Sequence, residues 1–257
     1  MNLGQSLEGK KGLVVGIANS HSIAAGCAAA FRKAGADLAL TYLDDKALPF
    51  VSPVAGVVQA DMLLPCDVRV PGQLELVFEE IAEKWGRLDF LLHSIAFAPR
   101  EDLYRHLVDC SAEGFALAMD ISCHSFLRMS KLAVPLMTKG GSLMTVSFYG
   151  ADKVVEHYNL MGPVKAALES SVRYMAAGLA DRNIRAFAIS AGVVKTRAAS
   201  GIDRFDELLD AARAQTPSGR LVSVEDIGRV AAFLASGAGG PLNGSVVYAD
   251  NGYHIMA

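Results

Sequence analysis

The sequence predicts an α/β fold: one doubly wound, parallel sheet of seven strands with helices on both faces. Three observations predict it. Seven short apolar runs recur from end to end, helix-period stretches separate them, and no linker, composition shift or internal repeat divides the chain. Strands apolar on both faces are what a parallel sheet covered on both sides requires. With 257 residues, 52% hydrophobic and 20% charged, the chain can bury a large core and is expected to form a single domain over 1–257.

The elements follow in order. GLVVG (12–16) is the first strand, and SIAAGCAAAFRKAG (22–35) is an amphipathic helix with Ser22 placed to cap it. DLALTY (37–42) is the second strand. The segment DDKALPFVSPVAGVVQA (44–60) comes next, and Pro49 and Pro53 argue against a regular helix through its first part, so an irregular or shortened crossing is expected. MLLPCD (62–67), the helix PGQLELVFEEIAEKWG (71–86) and LDFLLHS (88–94) continue the alternation. A long helix is expected over 111–137, then the strand SLMTVS (142–147), a second long helix over about 160–180, and the strand IRAFAIS (184–190). The helix VEDIGRVAAFLAS (224–236) and the strand SVVYAD (245–250) complete the pattern.

Several function classes are disfavoured. A net charge of -3 and a pI near 6.1 give no electrostatic reason to expect nucleic acid. The first residues lack the apolar stretch of a secretory signal, and the uncharged run 231–249 holds four glycines and a proline, unlike a membrane helix. A cytoplasmic protein without membrane association is expected. Cys27, Cys66, Cys110 and Cys123 lie far apart without metal-ligand spacing, as do the histidines, so buried thiols and no metal are expected. His93 sits inside a strand run and reads as a satisfied core histidine, and Trp85 reads as a packing or anchoring residue.

In an open parallel sheet, ligands bind beyond the carboxyl ends of the strands, near the point where strand order reverses. The residues at those ends are small or polar: Gly16; Asp67; Ser94, Ile95 and Ala96; Ser147, Phe148 and Tyr149; Ala191 and Gly192. Gly16 and Gly26 bracket the first turn, but the strict G-x-G-x-x-G pattern is absent, so a plain tight turn and a dinucleotide site remain equal readings. Asp44 and Asp45 after the second strand could accept from a ribose and would repel a 2′-phosphate, or could form a solvated acidic turn. This tilts the cofactor toward NADH over NADPH. In YNLMGPVK (158–165), Tyr158 and Lys165 are seven positions apart, about two helical turns. Pro163 belongs in a first turn, so the helix is expected to start within 160–163 with Tyr158 at its mouth.

On these residues the chain resembles the short-chain dehydrogenase/reductase superfamily, and within it the divergent branch of bacterial enoyl-acyl-carrier-protein reductases. The resemblance covers nearly the whole length, through VVGIANSHSIAAG, TYLDDK, CDV, HSIAFAP, DISCHSF, YNLMGPVKAALESSVRYMA, AISAGVVKTRAASGI, TPSGRLVSVEDIG and ADNGYHI. Most of the superfamily separates its tyrosine and lysine by three residues. The enoyl reductases use six, as here. The resemblance implies a Rossmann-type fold, NADH as cofactor, a trans-2-enoyl thioester of acyl carrier protein or coenzyme A as substrate, and a homotetramer.

It further implies that Tyr158 stabilises the enolate and that Lys165 holds the nicotinamide ribose and lowers the phenol pKa. An ammonium about 4 Å away at an effective dielectric of about 20 is worth roughly 4 kcal/mol. By position matching, Gly16, Ser22, Ile23, Asp67, Val68, Ser94, Ile95, Ala96, Lys165, Val194, Lys195, Thr196, Arg197 and Ala198 would line the cofactor, with Asp67 and Val68 at the adenine. Ala98, Phe148, Tyr149, Tyr158 and Met161 would border the acyl chain. Residues of about 196–215 would form a mobile helical lid, with Leu208 and Leu209 among its apolar contacts.

Three positions depart from the family pattern. Phe148 stands where many relatives carry a second tyrosine, Leu43 replaces a polar amide, and Asn251 replaces a glycine. Substrate range and efficiency are what these departures bear on. Two other readings remain: a ketone or alcohol reductase of the same fold, and a nucleotide-binding protein that has lost turnover.

Overall fold

The computed structural model describes residues 6–196 and 204–256. Seven strands form one parallel sheet: β1 (Lys11–Val15), β2 (Asp37–Tyr42), β3 (Met62–Pro65), β4 (Phe90–His93), β5 (Gly141–Phe148), β6 (Ile184–Ala191) and β7 (Val246–Ala249). Their order is β3-β2-β1-β4-β5-β6-β7, every neighbouring pair parallel. The chain runs outward from β1 to β3, then returns to β4 on the other side. The crevice between β1 and β4 is therefore where a ligand can enter.

Nine helices are found among the described residues: α1 (Ile23–Lys33), α2 (Leu48–Val57), α3 (Gln73–Trp85), α4 (Arg100–Tyr104), α5 (Ala112–Met119), α6 (Ser125–Ala133), α7 (Met161–Gly178), α8 (Phe205–Gln215) and α9 (Val224–Ala235). One face of the sheet packs against α3, α6 and α7 through Leu13, Leu91, Leu143, Ala186, Phe126 and Leu168. The other packs against α1 and α9 through Val14, Phe90, Phe187, Phe31 and Leu234. Alternate residues of each strand feed alternate cores, which is why the strand runs are apolar without interruption.

Helix α1 crosses α9 at very close range. A Cβ built on Gly26 would strike the Val224 carbonyl, and one built on Gly228 would strike the Gly26 carbonyl. Gly26 therefore serves helix packing and does not bracket the ligand turn. Gly16 does: its φ is +102°, and a Cβ there would strike the Ser94 carbonyl. The β1–α1 turn can close on the end of β4 only with glycine in that place.

Two helical expectations are corrected. Residues 48–57 form a ten-residue helix despite both prolines. Pro49 falls in the first turn, where no donor is needed; Pro53 forgoes one bond, and Val51 and Val54 bury against the sheet. Asp44 begins the crossing by accepting from the Ala47 amide at 2.9 Å. The expected helix over 111–137 is divided: α5 passes through a wider π turn at Asp120–His124 into α6, which ends in a 3₁₀ turn at Val134–Leu136. Such turns open the helix locally and leave carbonyls to side chains. Ser125 Oγ takes up the Ile121 carbonyl at 2.6 Å.

Candidate active site

Tyr158 sits in a turn, not on α7. Its neighbours His157 and Asn159 have φ of 62° and 30°, left-handed values that turn the chain sharply before the helix. Asn159 Nδ2 ties this turn to the Leu103 carbonyl at 2.9 Å, and the Met161 amide donates to the Tyr158 carbonyl at 2.9 Å. The phenol ring lies 4.8 Å from the Phe148 ring, tilted by 60°. Gly150 leaves room for it, since a Cβ there would collide with the Tyr158 ring.

Helix α7 begins at Met161 with Pro163 in its first turn, as the spacing predicts, and carries Lys165 inward to 4% exposure. Nζ donates to the Val146 carbonyl at 2.7 Å, which leaves two more hydrogens for a ligand. Burial pushes the Lys165 ammonium down to about 8, opposed by Cys123 and Glu169. Burial, and next the Glu169 carboxylate, hold the Tyr158 phenol well above the usual range. The expected lowering of that phenol by Lys165 is thus not found: burial and Glu169 both act to raise it.

Tyr158 and Lys165 line one cavity of about 370 Å³. Among the residues expected at the cofactor, Ile23, Ser94, Ile95, Ala96, Val194 and Thr196 line it too. Of those expected at the acyl chain, Ala98, Phe148 and Met161 do. Gly16 and Ser22 are not in its wall: Gly16 packs against the Ser94 carbonyl, Ser22 caps α1 by accepting from the Ala25 amide at 3.3 Å, and Ile23 follows in the wall.

Other expected residues stand outside the cavity wall. Asp67 is held by Arg69, with Nη2 to Oδ2 at 2.6 Å, and this hydrogen bond draws its carboxyl below the ordinary value. Val68 is buried, its carbonyl taken by Arg128 Nη1 at 2.9 Å. Lys195 lies 3.5 Å from Asp206 on the surface. Tyr149 meets Tyr253 edge-on at 5.5 Å. Arg197 and Ala198 lie outside the described residues.

Helix α8 covers the cavity. Phe205 and Leu208 line it, and with Leu209 they pack around Val193, Ala212, Tyr149 and Tyr253. Phe205, Phe97, Arg100 and Leu103 are wall residues that sequence reasoning misses, because no motif marks these positions as lining a pocket. Ser122 is also missed. It exchanges hydrogen bonds with the Phe97 amide and carbonyl at 2.8 and 2.9 Å, fixing the loop after β4.

His93 is fully buried between Thr145 Oγ1 and Ser125 Oγ, each at 2.8 Å, and burial pushes it down to about 3. It is a neutral core histidine, as the sequence predicts. Cys27, Cys66 and Cys123 are buried thiols, but Cys110 is only half-buried. Trp85 anchors the end of α3 by donating to Asp61 at 3.1 Å. Among the described residues, no cluster of His, Cys, Asp or Glu could hold a metal, and no helix is long and apolar enough to cross a membrane.

A family model described as enoyl-(acyl carrier protein) reductase matches residues 16–254. The chain belongs to this enoyl-acyl-carrier-protein reductase family. Among curated enoyl-acyl-carrier-protein reductases, one named for NADH from Aquifex aeolicus is 44% identical over 251 residues, covering 97% of this chain and 93% of the relative. The Escherichia coli reductase is 41% identical over 252 residues, covering 98% and 96%. The crystal structure of the Aquifex aeolicus reductase superposes with a TM-score of 0.95 over 98% of this chain and 99% of that one, at 44% identity. The Anaplasma phagocytophilum reductase, in complex with NAD, gives 0.95 over 100% and 98% at 43% identity.

Proposed function

We propose that this protein is an NADH-dependent enoyl-acyl-carrier-protein reductase of fatty-acid elongation, saturating the trans-2 double bond of an enoyl thioester. The observation that carries it is the convergence of Tyr158 and Lys165 on one cavity, whose walls are the β4 and β6 strand ends on one side and Phe148, Met161, Phe205 and Leu208 on another. NADH, when bound, supplies a hydride to the β-carbon of the substrate.

The residues present fit that cofactor. Gly16 lets the first turn close, the N-terminus of α1 offers amides and partial positive charge to a pyrophosphate, and Lys165 has donors to spare for ribose hydroxyls. Asp44 and Asp45 follow β2, where an adenosine ribose would lie, and oppose a 2′-phosphate. Asp67 and Val68 stand at the end of β3 for the adenine, Lys195 and Thr196 beyond β6 for the nicotinamide side.

Tyr158 donates its hydroxyl to the thioester oxygen, where negative charge grows as the hydride arrives. Its raised pKa suits this role, since a phenol that keeps its proton can donate it. Phe148 gives an aromatic wall without a hydroxyl, so the oxyanion has Tyr158 as its phenolic donor. The substrate sits on acyl carrier protein; coenzyme A is the alternative carrier.

Helix α8 acts as the lid; of the stretch expected for it, about 196–215, residues 197–203 lie outside the described residues. The chain forms a single domain and assembles as a homotetramer in the cytoplasm. Exposed apolar residues on the long helices, Phe115 and Leu117 on α5, Leu127 on α6 and Tyr174 on α7, supply faces for other copies. Light scattering tests the tetramer. The function is tested by following NADH oxidation with crotonyl and acetoacetyl thioesters, beside Tyr158→Phe. Crotonyl turnover that falls at least about 100-fold in the variant, with NADH affinity kept, is expected; preference for the acetoacetyl thioester would support a ketone reductase instead.

A further inference from the structure

Each reduction of a double bond consumes one proton beside the hydride, and the cavity wall is chiefly apolar. Glu169 lies one turn beyond Lys165 on α7, is 8% exposed, and its Oε1 accepts from Ser147 Oγ at 2.5 Å. Ser147 itself lines the cavity. It pairs in register with Ser190 on β6, which pairs with Tyr248 on β7, so the three side chains stand in one row on the α7 face of the sheet.

Among the described residues, Ser190 Oγ is buried without a hydrogen-bond partner, and a buried hydroxyl of this kind is one that an ordered water can bond. Burial raises the Tyr248 phenol, and the charges of Asp152, Glu169, Tyr149 and Asp250 add to it. His254 stacks on the Tyr248 ring at 3.8 Å, bonds Asp250 Oδ2 at 2.8 Å, and reaches the surface.

We propose that this row is the route by which protons reach the reacting pair, with Glu169 as a relay residue positioned by Ser147. After hydride transfer, the Tyr158 O–H bond breaks and its proton neutralises the enolate. The phenolate takes a proton from the Lys165 ammonium, and the neutral amine takes one from the Glu169 carboxylic acid. The carboxylate then takes a proton from water delivered past Tyr248 and Ser190, so one solvent proton is consumed per turnover and no further electrons move. The groups facing Glu169 are Lys165 and Arg173 on its own helix, Ser147 on β5, Asp152 after β5, Tyr158, and Tyr248 on β7. Burial, with Asp152, holds the Glu169 carboxyl above its ordinary range against Ser147, Arg173 and Lys165, which favours its taking up a proton for transfer.

The proposal rests on Tyr158 and Lys165 as the reacting pair. Its test is Glu169→Gln, which keeps the shape and removes the transferable proton. Expected are a kcat at least about tenfold lower, a larger solvent deuterium isotope effect on kcat, and NADH affinity by fluorescence titration within about twofold. Tyr248→Phe, outside the cavity wall, raises the same isotope effect with a smaller loss of kcat, and decides the matter if Glu169→Gln does not fold. Wild-type kcat and isotope effect in both variants, or loss of kcat together with NADH affinity and an unchanged isotope effect, overturn the relay. A fully active Tyr158→Phe overturns the reacting pair instead.

Discussion

Replacing Lys165 by methionine separates what the fold wants from what the reaction needs. The side chain is 4% exposed, and burial moves its ammonium from 10.5 to about 8. That gap of about 2.5 pH units is worth about 3 kcal/mol of cost for carrying the charge in the folded state. The variant keeps the apolar stem and leaves the Val146 carbonyl without its donor, a loss of about 1–3 kcal/mol. At pH 7 the two effects nearly cancel, so Lys165→Met is expected to be about as stable as wild type while losing turnover.

The sign of the pH dependence is the sharper test. The folded pKa lies below the unfolded one, so between pH 8 and 10.5 the unfolded chain binds more protons, and the wild type gains stability as pH rises through that window. Urea unfolding of both proteins at pH 7.5 and 9.5, at one protein concentration, checks it. The wild-type-minus-variant difference is expected to move by about 2 kcal/mol in favour of the wild type. A difference constant within about 0.5 kcal/mol, or one moving the other way, would refute the claim that Lys165 carries a buried, costly charge.

Two further outcomes are expected. Phe205→Ala removes the ring by which α8 covers the cavity, so KM for an enoyl thioester should rise about tenfold and amide exchange across 205–215 should quicken, with NADH affinity unchanged; an unaltered KM would detach α8 from the substrate. His93 has a folded pKa of about 3 against 6.5, so its contribution is present near neutrality and declines as pH falls from 6.5 toward 3. Acid unfolding of His93→Gln should lack that decline, about 1.4 kcal/mol per pH unit, and equal slopes in both proteins would mean that His93 titrates normally.

The sheet is legible in the sequence because a parallel strand covered on both sides must be apolar throughout, and such runs stand out between polar turns. All seven strands lie where those runs do, with ends displaced by three residues or fewer. The helix through Pro49 and Pro53 is not legible, since a local rule against proline is overridden when one falls in the first turn and apolar neighbours bury. Nor is the π turn at Asp120–His124, whose cause lies in side-chain bonds to its opened backbone. The tyrosine–lysine spacing points to the right helix mouth. What it leaves out is desolvation, which raises Tyr158 and lowers Lys165 and depends on the whole fold. Glu169 reads as an ordinary polar position on an amphipathic helix, and only the register of β5, β6 and β7 reveals the row it faces.

The meeting of Gly26 with Gly228 has a consequence for biogenesis. The helix that follows the Gly16 turn is braced by one made near the end of translation, with backbone against backbone and no side chain to take up slack. A nascent chain still missing the residues from Val224 onward exposes the apolar flank of α1 and has no rigid seat for nucleotide. Cofactor affinity should therefore arrive late, almost with release from the ribosome, and truncations trimmed before α9 should emerge as clients for chaperones instead of slow enzymes.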